Sequence, residues 1–166
     1  MILIDCNFLV AWSSSKTSKD DLIRLEHLAE VVQTQRKKIL LPTPALAEFL
    51  VQTNESTAEW LNALERKNFI KVVGFDRKAA FECALLDRAA LATGNKKGQI
   101  ASPWQKIKVD RQIIAIGKSN GADTIITGDT DLRTAAISVG IKALQISDLP
   151  IPESAKQISL ELPSTK

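Results

Sequence analysis

Short apolar runs alternate with longer amphipathic segments along this chain, and that alternation predicts its secondary structure. The apolar runs are rich in isoleucine, leucine and valine, which favours strands buried in a sheet. They cover residues 2–5, 38–41, 69–75, 124–127 and 141–146. Between these runs, apolar residues recur at helical spacing, except that residues 8–12 are predicted to form a short apolar turn after the first strand. The alternation predicts an α/β fold of three layers (α/β/α), in which helices cover both faces of a mostly parallel five-stranded sheet.

The sequence also predicts which way some of the helices face and where they end. Phe81, Ala84 and Leu85 are expected to form the inner face of the helix that Asp76 caps. Another helix is predicted to begin at Asp110, with that side chain leaning towards the core. Gly121 ends this helix because glycine adopts the left-handed C-terminal conformation at low cost.

The length of 166 residues is that of one domain, which would bury about two-thirds of its unfolded surface. The predicted strands and helices fill residues 1–150, and residues 151–166 have the composition of a C-terminal tail. We identify no secretory signal and no run that could span a membrane. Cys6 and Cys83 are too few for a disulfide framework, and as reduced thiols they indicate a cytoplasmic protein.

A net charge of +3 and a pI of 8.9 permit a nucleic-acid partner but do not require one. Residues 93–108 are predicted to be irregular, and they combine Trp104 with three candidate RNA-binding residues, Lys96, Lys97 and Lys106. A basic loop with an aromatic residue can contact phosphates and stack on a base. An ordinary surface insertion explains the same segment, so both interpretations stay open.

Four acidic residues occupy separate segments from which they could converge. Asp5 and Asp129 each end a predicted strand, Asp110 belongs to the helix before one of those strands, and Glu48 edges an apolar helix face. Carboxylates at the carboxyl edge of such a sheet suit a hard divalent cation, Mg²⁺ or Mn²⁺. Helix capping explains any one of these acids, but the four together would repel one another without a cation. Asn7, two residues after Asp5, could position whatever Asp5 holds.

Taken together, four stretches resemble the PIN-domain nucleases, in particular their toxin-like VapC branch. They are IDCNFL at 4–9, TPALAEFL at 43–50, VDRQIIAIGKSNGADTIITGDTDL at 109–132, and the closing strand. The resemblance covers residues 1–150. It implies the strand order 3-2-1-4-5, which places the strands before Asp5 and Asp129 next to each other.

The resemblance also implies roles for individual residues. Asp5, Glu48, Asp110 and Asp129 would be the catalytic acids that surround the metal, with Asp5, Asp110 and Asp129 as its ligands. Three supporting residues would be Asn7, Thr127 and Asp131. The implied activity is hydrolysis of RNA phosphodiester bonds by a water activated with Mg²⁺ or Mn²⁺. The implied partners are the RNA substrate, an antitoxin protein if the chain is the toxin of a toxin–antitoxin pair, and further copies of the chain in a homo-oligomer.

Two alternatives remain beside this interpretation. One is a PIN fold that binds RNA or a protein partner without cleaving. The other is a phosphatase of the haloacid-dehalogenase kind, since GDTDL at 128–132 resembles the last acidic motif of that family. The phosphatase needs a second acid two residues after its nucleophile, and position 7 is asparagine, which disfavours it.

Overall fold

The computed structural model describes residues 1–51, 55–94, 97 and 102–156. Five strands are present in this part of the chain: β1 (Ile2–Ile4), β2 (Ile39–Pro42), β3 (Ile70–Val73), β4 (Thr124–Ile126) and β5 (Lys142–Leu144). The α-helices described are α1 (Cys6–Ser13), α2 (Lys19–Thr34), α3 (Thr43–Val51), α4 (Glu55–Glu65), α5 (Arg77–Ala92), α6 (Trp104–Ser119), α7 (Thr130–Ser138) and α8 (Glu153–Lys156). None of the helices in these ranges is long and apolar enough to cross a membrane.

The five strands form one parallel sheet in the order β3-β2-β1-β4-β5, with helices on both faces. The predicted three-layer α/β/α fold and the predicted strand order are therefore confirmed. Ile4 at the end of β1 pairs with Ile126 at the end of β4. Because parallel strands end at the same edge of a sheet, the residues after Ile4 and Ile126 emerge side by side.

The middle of the sheet carries the hydrophobic core. Leu3 is fully buried and stands in register with Leu40 on one side and Ile125 on the other. Burying one such side chain stabilises the fold by about 1.5–3 kcal/mol. Helix α6 approaches closely here, since a Cβ added to Gly117 would lie 2.6 Å from Cδ2 of Leu3. The contact fixes α6 against β1, and both elements carry acids of the candidate site.

Helix α5 faces the opposite way from its prediction. Phe81 and Leu85 are 62% and 57% exposed, and Ala84 is exposed as well, so the predicted inner face is wrong. The helix is joined to α6 by ion pairs from Glu82 to Lys118 and from Asp87 to Arg111. A hydrophobic pattern assigns apolar residues to the inside. It misplaces this face because charged residues lie between the two helices.

Two other helices are longer than predicted. Residues 8–12, predicted to be a short apolar turn, belong to α1. Helix α6 begins at Trp104, so Asp110 lies inside the helix rather than at its start, and residues 104–108 are helical rather than irregular. The predicted termination holds, because Gly121 follows α6 in the left-handed conformation, with φ of +74°.

The end of the described chain returns to α2. After β5, a short 3-10 helix (Ile146–Asp148) leads to Leu149, whose carbonyl accepts a hydrogen bond from Nη1 of Arg24. Helix α8 then lies within the predicted tail, and residues 157–166 of that tail fall outside the described residues. The division into a domain of residues 1–150 and a tail stays a prediction.

Candidate metal centre

Asp5 lies at the carboxyl edge of the sheet, directly after β1, and is 4% exposed. Its Oδ1 accepts a hydrogen bond of 3.0 Å from the backbone N–H of Phe8 and so caps α1. Its Oδ2 accepts from the hydroxyl of Thr127 and, at 3.4 Å, from Nδ2 of Asn7. Burial raises the pKa of Asp5, and the hydrogen bonds from Thr127 and Phe8 oppose that rise.

Thr127 connects the acids that follow the two central strands. It is buried directly after β4, donates its hydroxyl proton to Asp5, and accepts a 2.9 Å hydrogen bond from the backbone N–H of Asp129. Its hydroxyl therefore fixes the Asp5 carboxylate relative to the backbone that carries Asp129. Asn7 and Thr127 thus both contact the Asp5 carboxylate, and their supporting role stays a prediction.

Asp129 caps α7 and faces a lysine. Its Oδ1 accepts from the backbone N–H groups of Asp131 and Leu132, at 2.8 and 3.0 Å. Its Oδ2 lies 2.8 Å from Nζ of Lys106. Burial alone would raise the pKa of Asp129, but the hydrogen bond and charge of Lys106 together with the backbone donors hold the pKa below its ordinary value.

Asp110 reaches the same place from α6 and is 6% exposed, as its predicted lean towards the core requires. Burial raises its pKa to about 6. The charge and hydrogen bond of Lys106 oppose that rise, while the negative charges of Asp129 and Asp131 add to it. Ionising Asp110 in the folded protein therefore costs free energy, and the ammonium of Lys106 offsets only part of that cost.

Lys106 is the part of this site that the sequence analysis did not assign to it. It lies one helical turn before Asp110, and its Nζ is 3.2 Å from Oδ2 of Asp110 and 3.7 Å from Oδ2 of Asp131. The contact with Asp110 has a sequence signal, because charges four residues apart on a helix are neighbours. The contacts with Asp129 and Asp131 had none, since they join different elements. Asp131 also accepts a hydrogen bond from Ser102.

A cavity of about 280 Å³ opens among these residues. Glu48, exposed on α3, also lines it, so all four predicted catalytic acids border one space. Cys6 lines the cavity too, but burial, followed by the charges of Glu48 and Asp5, raises its pKa to about 12. A thiol with that pKa is protonated at neutral pH and is a poor nucleophile. The structure thus brings the predicted acids together and offers no reactive cysteine among them.

The donor atoms of the cavity suit a hard divalent cation. They are carboxylate oxygens, which bind Mg²⁺ and Mn²⁺ in preference to softer metals. Among the residues described, no group of three or more Asp, Glu, His or Cys side chains is arranged closely enough to hold a metal ion as it stands. The ammonium of Lys106 lies between Asp110 and Asp129 and supplies the positive charge there. The carboxylate oxygens are thus suitable ligands for a divalent cation, but in this structure Asp110 and Asp129 are spaced around the ammonium of Lys106.

Of the two other predicted RNA-binding lysines, Lys97 is exposed and is not among the residues that line this cavity. Lys96 lies outside the described residues. Cys6 and Cys83 are both unpaired thiols, as predicted.

No family model matches the sequence, and neither does any curated protein. Solved structures do match the fold. A DNA-bound VapBC from Salmonella typhimurium matches with a TM-score of 0.57 and 18% identity over 87% of this chain and 97% of that one. VapBC2 from Rickettsia felis, bound to a promoter DNA fragment, matches with 0.55 and 17% over 87% and 98%. VapBC-1 from nontypeable Haemophilus influenzae matches with 0.59 and 13% over 89% and 99%.

The common fold extends over 97–99% of each matched chain. The resemblance to VapC-type PIN domains, which the sequence motifs indicated, is confirmed at the level of the fold. Sequence identities of 13–18% support a common fold and do not establish a common activity.

Proposed function

We propose that this chain is a divalent-metal-dependent endoribonuclease that acts as the toxin of a toxin–antitoxin pair. One observation carries the proposal: acids from three separate elements, Asp5, Asp110 and Asp129, border a single cavity at the carboxyl edge of a VapC-like fold. Open α/β sheets bind their ligands at this edge. Burial keeps the pKa of Asp110 high, which is typical of a site that awaits a positive ligand.

The ion would be held by Asp5, Asp110 and Asp129. A divalent ion supplies Lewis-acid chemistry, in that it lowers the pKa of a water and neutralises charge on the phosphate. The protein's own part is orientation: Thr127 and Asn7 hold the Asp5 carboxylate, and the start of α7 holds Asp129. Glu48 is the exposed acid of the cavity. Its carboxylate is therefore assigned as the acceptor of the proton that the attacking water loses.

RNA would enter from the open side of the cavity, and Lys96, Lys97 and Lys106 are proposed to contact its phosphates. The proposed antitoxin partner rests on the three matched structures, which are VapBC complexes. Self-association is proposed from the resemblance of the sequence motifs to the VapC branch. Sedimentation of the purified chain, alone and with its genomic neighbour's product, would contradict both proposals if the chain stayed monomeric and bound nothing.

An RNA cleavage assay tests the function. The purified chain is expected to cleave single-stranded RNA internally with millimolar Mn²⁺ or Mg²⁺ and to stop when EDTA is added. RNA binding without cleavage under every metal would favour the non-cleaving alternative. Release of phosphate from p-nitrophenyl phosphate, with RNA left intact, would favour the phosphatase. Cleavage that persists in EDTA would contradict the metal-dependent mechanism.

Replacing Thr127 tests the orientation of Asp5. Thr127→Val keeps the shape of the buried side chain but removes its hydrogen bonds to Asp5 and Asp129. Loss of such a supporting contact typically lowers metal affinity or activity by about 10–100-fold, and a drop of that size is expected in Mn²⁺-dependent cleavage. Thr127→Ser retains the hydroxyl and is expected to stay within a few-fold of the wild type. Full activity in Thr127→Val would show that the hydroxyl is only structural.

A further inference from the structure

We infer that Lys106 is a resident counterion of the acid cluster, which competes with the divalent ion for Asp110 and Asp129 and must leave before the ion can bind. The inference rests on the proposed function, because it concerns the same cavity. Lys106 would thereby set the affinity of the site for the divalent ion.

The contacts of each carboxylate oxygen support the competition. In Asp129, Oδ1 is engaged by the first turn of α7, and Oδ2 is the oxygen that lies 2.8 Å from Nζ of Lys106. In Asp110, Oδ2 accepts a 3.2 Å hydrogen bond from the same ammonium. A divalent cation that binds Asp110 and Asp129 would therefore compete with Lys106 for the Oδ2 atoms of both carboxylates.

Charge makes the two occupants mutually exclusive. Two cations within a few ångströms of each other repel strongly in a partly buried site, where the effective dielectric constant is far below that of water. The side chain of Asp110 is 9% exposed and that of Asp129 is 23% exposed, so solvent screens this repulsion poorly. Lys106 and a divalent ion would then alternate in the cavity rather than share it.

The side chain of Lys106 is free to move out of the acid cluster. It is 36% exposed, lines the cavity from the first turn of α6, and has a flexible four-carbon stem. When the Lys106 side chain moves out of the cavity, its ammonium enters solvent, where water can hydrate it or a phosphate of the substrate can contact it. The RNA-binding role predicted for Lys106 is thus compatible with its position once the ion is bound.

The test is Mn²⁺ affinity of the full chain without RNA, measured by isothermal titration calorimetry at an ionic strength of about 0.15 M, where the Debye length is about 8 Å. Lys106→Gln removes the ammonium and is expected to bind Mn²⁺ about tenfold more tightly than the wild type. Lys108→Gln is the matched control, since Lys108 is an exposed lysine of the same helix whose Nζ lies 5.9 Å from the centre of the Trp104 ring. It removes the same charge and is expected to change the affinity less than about twofold.

Further measurements distinguish a change in Mn²⁺ affinity from a loss of folding. Circular dichroism and a thermal melt in EDTA establish that each variant is folded, and Lys106→Met repeats the test if the glutamine variant is not. Lys106→Arg keeps the charge and is expected to bind Mn²⁺ about as the wild type does. Equal affinities in Lys106→Gln and Lys108→Gln, or weaker binding in Lys106→Gln, would overturn the inference while leaving the nuclease proposal intact. No Mn²⁺ binding by any folded variant would overturn both.

Discussion

Mn²⁺-dependent RNA cleavage is expected to fall by about a hundredfold or more in each of Asp5→Asn, Asp110→Asn and Asp129→Asn. Each substitution exchanges a carboxylate that borders the cavity for a neutral amide of the same shape. The ion would lose a charged ligand, and the remaining acids could not compensate because each comes from a different element. Initial cleavage rates at saturating Mn²⁺, on protein shown to be folded, provide the measurement.

Asp123→Asn is the control for these variants. Asp123 precedes β4, at the opposite edge of the sheet from Asp129, and its carboxylate pairs with the N-terminal ammonium of Met1 at 2.8 Å. Such exposed ion pairs contribute at most about 1 kcal/mol. Activity near that of the wild type is therefore expected. Equal loss in Asp123→Asn and Asp129→Asn would mean that the cleavage assay reports overall stability, and wild-type rates in Asp129→Asn would remove it from the site.

Asp110→Asn and Asp129→Asn are expected to change stability in opposite directions at pH 7 in EDTA. The folded-state pKa of Asp110 is about 6 against an ordinary 3.8. Between these values the folded protein binds more protons than the unfolded chain, so its free energy of unfolding falls as the pH rises. Asparagine has no charge to bury, and Asp110→Asn should be more stable than the wild type by about 1–2 kcal/mol.

Asp129 behaves in the reverse sense, because its folded-state pKa is lowered. Its carboxylate contributes stability that is present above the ordinary pKa and lost as the pH falls through the lowered one. Asp129→Asn keeps a capping oxygen but loses the ion pair with Lys106, and it should be less stable by about 1 kcal/mol. The repulsion expected from sequence for all four acids is thus not uniform, because Lys106 lies closest to Asp129.

Urea unfolding at pH 4.5 and pH 7 measures both effects. The free energy of unfolding of Asp110→Asn should rise relative to the wild type between pH 4.5 and pH 7, the interval that contains the raised pKa of Asp110. The deficit of Asp129→Asn should stay nearly constant over that interval, because the lowered pKa of Asp129 lies below it. Shifts of equal sign in the two variants would contradict the assigned electrostatics. So would a difference between wild type and Asp110→Asn that does not depend on pH.

The parts of the fold that follow from chain periodicity could be predicted from the sequence. Strands such as β1 and β4 are short β-branched or leucine runs, and an acid or threonine follows each of them, so the meeting of Asp5 with the β4 edge was foreseeable. The strand order needed the family resemblance as well. These predictions succeeded because the central strands β1, β2 and β4 are almost wholly buried, so that nearly every residue in them is apolar.

The remaining features depend on charged groups that pair across elements. The start of α6 was placed too late because Lys106 and Lys108 interrupt its apolar pattern. The face of α5 was wrong because Asp87 and Glu82 pair with α6. Lys106 was taken for a loop residue, whereas it belongs to the acid cluster. The face of α5 and the contacts of Lys106 with Asp129 and Asp131 depend on ion pairs between different elements, and sequence spacing carries no record of such pairs.

The position of β1 between β2 and β4 bears on when the cavity can first exist during synthesis. Asp5 and the residue that holds it, Thr127, are 122 positions apart. At elongation rates of about 5–20 residues per second this interval takes roughly 6–24 s. Throughout it, the edge of the apolar strand β1 that later pairs with β4 has no partner, and Asp110 is made only near its end and Asp129 just after it. The nascent chain is therefore exposed to mispairing at that edge and incapable of assembling its acid cluster until three-quarters of its length has left the ribosome.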